Sequence, residues 1–291
     1  MKIIVQFSGG KDSQACLIWA VKKYGKEKVT ALFCDTGWEH PITYKHVTDI
    51  CSVMGVELIV LKSDKYSSFQ DMCKKQKYFP SGLRRTCTSW MKVFPMVDWI
   101  LKQDESMIII QGIRAKESQK RSMMAEECSY FGDYFGEKAK NLYQKQKVRE
   151  WCKTHDASVL RPVFGWTAQE VIDYILENGQ QPNELYKRGA SRVGCFPCVM
   201  SRLSEVKQMM KDEAMRERLV NLEKEVSEAK GEFVGFFGKG YIPERFCKNG
   251  KGIPTVDEVI AYVNRNDLKV NLFQQEEDET SCMSLFHGLC E

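Results

Sequence analysis

Six residues near the start of the chain, Ser8-Gly9-Gly10-Lys11-Asp12-Ser13, combine the ingredients of an anion site. Adjacent glycines let a backbone turn tightly and approach a ligand with no Cβ in the way. Where a helix begins at such a turn, its first amides face the anion with the macrodipole behind them. Lys11 adds a positive charge, and Ser8 and Ser13 bring hydroxyl donors. The spacing differs from that of a P-loop NTPase, so a γ-phosphate kinase mechanism is not indicated. A plain strand-to-helix turn is the alternative reading of the same six residues.

Further along, Cys195 and Cys198 form a C-x-x-C pair within Gly194-Cys195-Phe196-Pro197-Cys198. Redox dithiols, zinc sites and iron–sulfur clusters all use that spacing, so the pair alone does not choose among them. The chain has 12 cysteines in all. Cys16, Cys34 and Cys51 fall in apolar or amphipathic segments and read as packing residues. Arg114 and Arg121 offer planar, permanently charged forks suited to phosphate or sulfate oxygens. Glu117 stands between them at helical spacing and competes as a partner for either. Arg84 and Arg85 form a second basic pair, facing either a substrate or solvent.

The elements that must position these residues are legible as alternating patterns. Ile3 to Phe7, Val29 to Cys34, Glu57 to Leu61 and Met107 to Ile110 read as buried strands. Helices are expected over Asp12 to Tyr24, His40 to Met54 and Thr86 to Lys102. Alternation with short connections predicts an α/β fold, a doubly wound and mostly parallel sheet covered on both faces. Ligands bind such sheets beyond the carboxyl ends of the strands, where Ser8 to Ser13, Asp35-Thr36-Gly37 and Gln111-Gly112-Ile113-Arg114 fall.

Residues 115–157 are polar and weakly periodic and read as an insertion over the site. Leu160 to Phe164 is a further strand, and Thr167 with Glu170 forms a capping box for a helix over Ala168 to Asn178. Ser201 to Lys230 reads as one long charged helix, and Thr255 to Asn264 as another, followed by an acidic tail from Glu276 that carries Cys282 and Cys290. The expected division is a nucleotide-binding domain over 1–200 and a helical C-terminal region over 201–291.

Over 291 residues, 43% hydrophobic and 28% charged composition is ordinary for a globular chain, and the net charge of +4 is too weak to argue a nucleic-acid partner alone. No apolar run reaches the roughly 18 residues of a membrane span, so no membrane association is expected. The N-terminus lacks the length and cleavage site of a signal peptide, which points to a cytoplasmic protein with reduced thiols.

The loop Ser8 to Ser13 resembles the PP-loop of the N-type ATP pyrophosphatases. Asp35-Thr36-Gly37, Cys87-Thr88 with Lys92 and Pro95, and Gly112-x-Arg114-x-x-Glu117-Ser118-x-x-Arg121 narrow the likeness to the phosphoadenosine phosphosulfate (PAPS) reductase-like branch. Leu185-Tyr186, Gly189, Arg192 and the Gly194 to Cys198 run continue it, in order, to about residue 205.

That resemblance implies an adenine nucleotide alpha hydrolase-like, Rossmann-like fold. It implies ATP bound by Ser8, Gly9, Gly10, Lys11, Asp12 and Ser13, with Asp35 and Gly37 near the adenosine and Gly112 beside phosphates or ribose. Lys11, Arg114 and Arg121 would carry catalysis, with Mg2+ on the phosphates. Related sulfonucleotide reductases hold a [4Fe–4S] cluster on four cysteines. Here Cys87, Cys195 and Cys198 match three of them and Thr88 stands at the fourth. Cys247, Cys128 and Cys73 are alternatives for the missing thiolate, and zinc or a metal-free dithiol remain open.

The activity implied first is cleavage of ATP between the α and β phosphates to adenylate an acceptor, with DNA phosphorothioation sulfurtransferases as the nearest model. The acceptor is then a small molecule or a nucleic acid met by Lys74 to Lys77, Arg84-Arg85 and Lys138 to Arg149, with a sulfur donor as a further partner. Reduction of PAPS or adenylyl sulfate, using Cys290 and a thioredoxin-like reductant, is the second reading, and a non-catalytic nucleotide-binding subunit is the third. Homo-oligomers are compatible with all three.

Overall fold

The computed structural model describes residues 1–131 and 143–265. The acidic tail with Cys282 and Cys290, and residues 132–142 of the expected insertion, lie outside the described residues.

Six strands form one sheet: β1 (Lys2–Gln6), β2 (Val29–Cys34), β3 (Glu57–Leu61), β4 (Met107–Gln111), β5 (Glu127–Ser129) and β6 (Ala157–Leu160), in the order β3-β2-β1-β4-β6-β5. All neighbours run parallel except β5, which is antiparallel to β6 at the edge. From β1 the chain winds outward through β2 and β3, then returns to place β4 on the other side of β1. The reversal at β1 and β4 opens a crevice at their carboxyl ends, and both the Ser8 loop and Gly112 lie there.

Alternation along the strands divides the core between two faces. Ile3, Val5, Ala31 and Phe33 pack under helices α1 (Lys11–Tyr24), α2 (Pro41–Met54) and the later helix Ala168–Glu177. Ile4, Leu32 and Ile109 pack on the other side under Phe94–Ile100 and Lys145–Trp151. A third core joins Trp38, Phe69 and Met72 to Leu185, Phe196 and the C-terminal helices Leu203–Met209, Glu213–Lys230 and Val256–Val263. The helices after residue 200 thus share a core with the loops around the crevice.

Most expected elements are present, including the Thr167–Glu170 capping box and a continuous helical run from Thr86 to Ile100 with a π-turn at Ser89–Val93. Three differ. The strand expected at Leu160 to Phe164 is β6, ending at Leu160. Pro162 has no amide to give a ladder, and Arg161 instead turns its guanidinium onto the Gln111 side chain at 3.0 and 3.2 Å. The single helix expected over Ser201 to Lys230 is two, because Asp212 breaks the run and caps the second by accepting the Met215 amide at 3.2 Å. Within 115–157, where no element was expected, the chain forms β5, a helix at Lys145–Trp151 and the start of β6.

One buried acid ties the C-terminal helices to the loop after them. Glu223 is 6% exposed and accepts the Phe236 amide at 2.9 Å and the Val256 amide at 3.0 Å. Burial pushes its carboxyl up to about 7, although both amide bonds pull it down. A carboxyl raised on folding gives stability that is complete below its unfolded value and lost as pH climbs through the folded one. Each tenfold change in proton affinity is worth about 1.4 kcal/mol, so the loss reaches on the order of 3 kcal/mol between pH 4.5 and 7. Urea unfolding of Glu223→Gln is therefore expected to be flatter than that of the parent across this window. Parallel stability profiles would remove Glu223 as the cause.

Candidate nucleotide-binding site

The crevice is open to solvent and is walled by Ser8, Ser13, Glu39, Lys92, Gly112 and Gly194 among others. Its floor is the β1–α1 turn. Gly9 adopts a φ of +82°, where a Cβ would lie 2.9 Å from Thr43 Cγ2 and 3.0 Å from Val47 Cγ2 of α2. Gly10 caps α1 in ordinary extended backbone at φ −81°. Of the two adjacent glycines, only Gly9 is held to glycine by its dihedral. Ser13 Oγ donates to the Gly10 carbonyl at 2.9 Å, and it accepts from the Ser8 amide at 3.3 Å. The loop is closed upon itself before any ligand is considered.

Gly112 is set against the first turn of α1. A Cβ there would lie 2.5 Å from Ser13 N, 2.7 Å from Asp12 C and 2.8 Å from Ser13 Cα. Close passage of two backbones explains this glycine without reference to phosphate or ribose.

Charge is concentrated just behind the loop. Asp12, 1% exposed, accepts from Lys11 Nζ at 3.0 Å through Oδ2 and from Arg114 Nε at 2.5 Å through Oδ1. Glu117 binds Arg121 and lies 4.0 Å from the Arg114 fork. Three cations and two carboxylates leave these five side chains with one excess positive charge, which suits an anion. Lys11, Arg114 and Arg121 are all buried. Arg121 has the Glu117 partner that its helical spacing allowed, so it stands in line behind Arg114.

The β2–α2 loop forms the neighbouring wall. Asp35 Oδ1 accepts from the Gly37 amide at 2.8 Å and from Tyr44 Oη at 2.7 Å, while Lys62 reaches Oδ2 at 3.2 Å. Burial works to raise the Asp35 carboxyl, but the bonds from Tyr44, Gly37 and Lys62 outweigh it and hold it below its ordinary value. Gly37 sits at φ +65°, with Ser68 Cβ 2.8 Å from where its Cβ would be. Asp35 and Gly37 shape this loop and are not among the residues lining the crevice.

Glu39, which sequence reasoning missed, does line it. It accepts from Thr36 Oγ1 at 2.7 Å, Tyr44 Oη at 2.9 Å and the Thr36 and Trp38 amides at 3.2 and 3.3 Å. Arg218, from the helix Glu213–Lys230, covers the same loop, with its guanidinium 4.1 Å from the Trp38 ring centre and a bond to the Gly37 carbonyl.

A second cavity adjoins the first, and Lys92 and Gly194 line both. Cys87, Thr88, Cys195 and Cys198 all face this second space. The cysteine loop is bound to the β2–α2 loop by the Phe196 amide on the Trp38 carbonyl and by Trp38 Nε1 on the Pro197 carbonyl, each at 2.9 Å. Cys195 Sγ lies 3.9 Å from both Thr36 Oγ1 and Glu39 Oε1. Of the alternatives for a fourth thiolate, Cys73 lies near enough to Cys87 for their charges to interact, although burial is what chiefly raises it. Cys247 packs on the same core, whereas Cys128 belongs to the opposite face of the sheet beside Arg161. Among the described residues no three His, Cys, Asp or Glu side chains converge closely enough to hold a metal ion. The thiols share a cavity, but the donor set is short of a four-thiolate centre. Asp12 is the shared counter-ion of Lys11 and Arg114.

No helix among the described residues is long and apolar enough to cross a membrane.

Residues 2–201 match the family model described as the phosphoadenosine phosphosulfate reductase domain. The chain is 28% identical over 350 aligned positions to an uncharacterized 37.8 kDa protein of Escherichia phage 186, covering 99% of this chain and 96% of that one. It is 27% identical to an uncharacterized protein of Methanocaldococcus jannaschii over 82% of its own length, but it spans only 45% of that relative. Among solved structures, phosphoadenylyl-sulfate reductase from Candida auris aligns with a TM-score of 0.48 and 17% identity, covering 68% of this chain and 83% of that one.

Proposed function

From the membership of this chain in the phosphoadenosine phosphosulfate reductase domain family, we propose that it binds ATP in the β1–β4 crevice and cleaves the α–β phosphate bond to adenylate an acceptor. The observation that carries the reading is the intact Ser8–Ser13 turn at the sheet's switch point, backed by the buried Lys11–Asp12–Arg114 group. Loop amides and the Ser8 hydroxyl take the phosphate oxygens, while Ser13 holds the turn through the Gly10 carbonyl. Lys11 and Arg114 offset charge as it builds on the departing pyrophosphate. An anionic acceptor oxygen bonds to the α-phosphorus while the P–O bond bridging to the β-phosphate breaks, and the electron pair of that bond leaves with pyrophosphate. Positioning and charge neutralisation do most of this work, so no nucleophile–base pair is required. Magnesium would accompany the phosphates and offset their charge. Arg121 supports Arg114 through Glu117.

Were an iron–sulfur cluster held beside the crevice, Cys87, Cys195 and Cys198 would be its ligands and it would supply electron or sulfur transfer, but the three thiols share a cavity without converging on one metal position. No step above passes through it. The position of that cavity beside the crevice also favours the second reading, reduction of PAPS or adenylyl sulfate. Anaerobic purification with iron analysis, then product assays, separates these readings. Pyrophosphate release from ATP with an acceptor is the expected result. Sulfite release from PAPS would favour the reductase, and tight ATP binding with neither product a non-catalytic subunit.

A further inference from the structure

The chain just before the cysteine loop is strapped to the phosphate loop. Gln14 Nε2 donates to Gln180 Oε1 at 2.9 Å and to the Gln181 carbonyl at 3.1 Å, and Asn183 Nδ2 donates to the Gly9 carbonyl at 3.4 Å. Asn183 is fully buried, and its Oδ1 accepts the Leu185 amide at 3.0 Å, which starts the short helix Glu184–Lys187. That turn presents Tyr186, whose hydroxyl accepts the Lys11 amide at 3.1 Å. The Lys11 ammonium stands 5.5 Å from the centre of the same ring.

We propose that Tyr186 is the positioning residue of Lys11, holding its amide through the hydroxyl and its ammonium over the ring. The inference rests on the assignment of Lys11 to the phosphates and adds what fixes that lysine. A lysine on a flexible stem gains reach but loses aim, and a face of negative π-charge restricts where its head settles. Asp12 fixes the ammonium from one side at 3.0 Å, and the ring restrains it from another. The phenol retains its own proton for donation while it accepts the amide. Tyr186 lies nine positions before Cys195, so the strap also links the two cavities in sequence.

The test is calorimetric titration of the full chain with magnesium–ATP and with AMP, for the parent, Lys11→Ala, Tyr186→Phe and Tyr186→Leu. Lys11→Ala is the reference for loss of the lysine. Tyr186→Leu is expected to weaken ATP at least tenfold and AMP less than twofold, because Lys11 serves the phosphates that AMP lacks. Tyr186→Phe keeps the ring and is expected to fall between, at about two- to fivefold for ATP, as for one hydrogen bond. Equal losses for ATP and AMP would overturn the proposal, since they indicate a general structural role. So would unchanged ATP affinity in both Tyr186 variants while Lys11→Ala binds weakly. If Lys11→Ala itself binds ATP normally, the phosphate assignment of Lys11 fails first and takes this inference with it. Should Tyr186→Leu fail to fold, the ATP-to-AMP contrast in Tyr186→Phe decides alone.

Discussion

Gly112→Ala is expected to reduce ATP affinity at least a hundredfold and to lower the unfolding free energy by about 1–3 kcal/mol, the usual cost of overpacking a tight interior. The added methyl would meet Ser13 N at 2.5 Å and Asp12 C at 2.7 Å, and both are backbone atoms. A flexible side chain could swing aside; the first turn of a helix cannot. Relief requires α1 to move away from β4, and that motion carries Lys11, Asp12 and Ser13 with it. The ligand site therefore suffers more than the fold. Gly165→Ala is the matched control, because nothing lies within 4 Å of its added Cβ. Titration with ATP and urea unfolding of both variants check this. Normal ATP affinity in Gly112→Ala would show that the crevice tolerates a shifted α1, or that the nucleotide is held elsewhere.

What was legible in the sequence follows from how local each feature is. The turn after β1 is encoded within six consecutive residues, so composition, order and position sufficed. The strands were readable because β1, β2 and β4 are buried on both faces and carry near-continuous apolar runs. Asn183 and Arg218 were not, because each gains its meaning from a partner far away in sequence, and Glu39 was not, because its place in the crevice wall follows from how the β2–α2 loop folds. Asn183 touches Gly9 across 174 positions, and Arg218 reaches Gly37 across 181. No periodicity announces such pairs. The break at Asp212 did carry a signal, an acidic N-cap ahead of a helical run, but the surrounding charged residues are good helix formers and masked it. Pro162 was likewise visible and should have demoted the strand proposed through it.

The two cavities share Lys92 and Gly194, and this gives the cysteine loop a physical tie to the crevice beside the Ser8–Ser13 turn. Trp38 binds that loop at both Phe196 and Pro197, while Glu39 gathers Thr36, Trp38 and Tyr44. A shift of the β2–α2 loop on ligand binding would thus be felt at Cys195 through packed contacts. Cys34, at the end of β2, lines the nucleotide crevice yet is unsuited to act as a thiolate, because burial pushes it up to about 12 against the pull of Lys92.

Asp12→Asn carries the second large effect. Asp12 is the carboxylate between the buried Lys11 and Arg114, and its loss leaves both cations without that charge in a site of low polarity. Removing one member of a buried ion pair typically costs about 3–5 kcal/mol, mostly the burden of the charge left behind. A comparable loss in unfolding free energy is expected here. Adding Arg114→Gln should return part of that stability, because the uncompensated cation has gone with its partner. ATP affinity should not return, since Arg114 is itself assigned to the phosphates. Stability thus recovers without affinity in the double variant, an outcome that a generic packing defect cannot produce. Denaturant midpoints and ATP titrations of the two single variants and the double variant form the cycle. Strict additivity in stability would mean that Asp12 does not hold Arg114 as its charge partner, and that the buried cations are balanced by other groups.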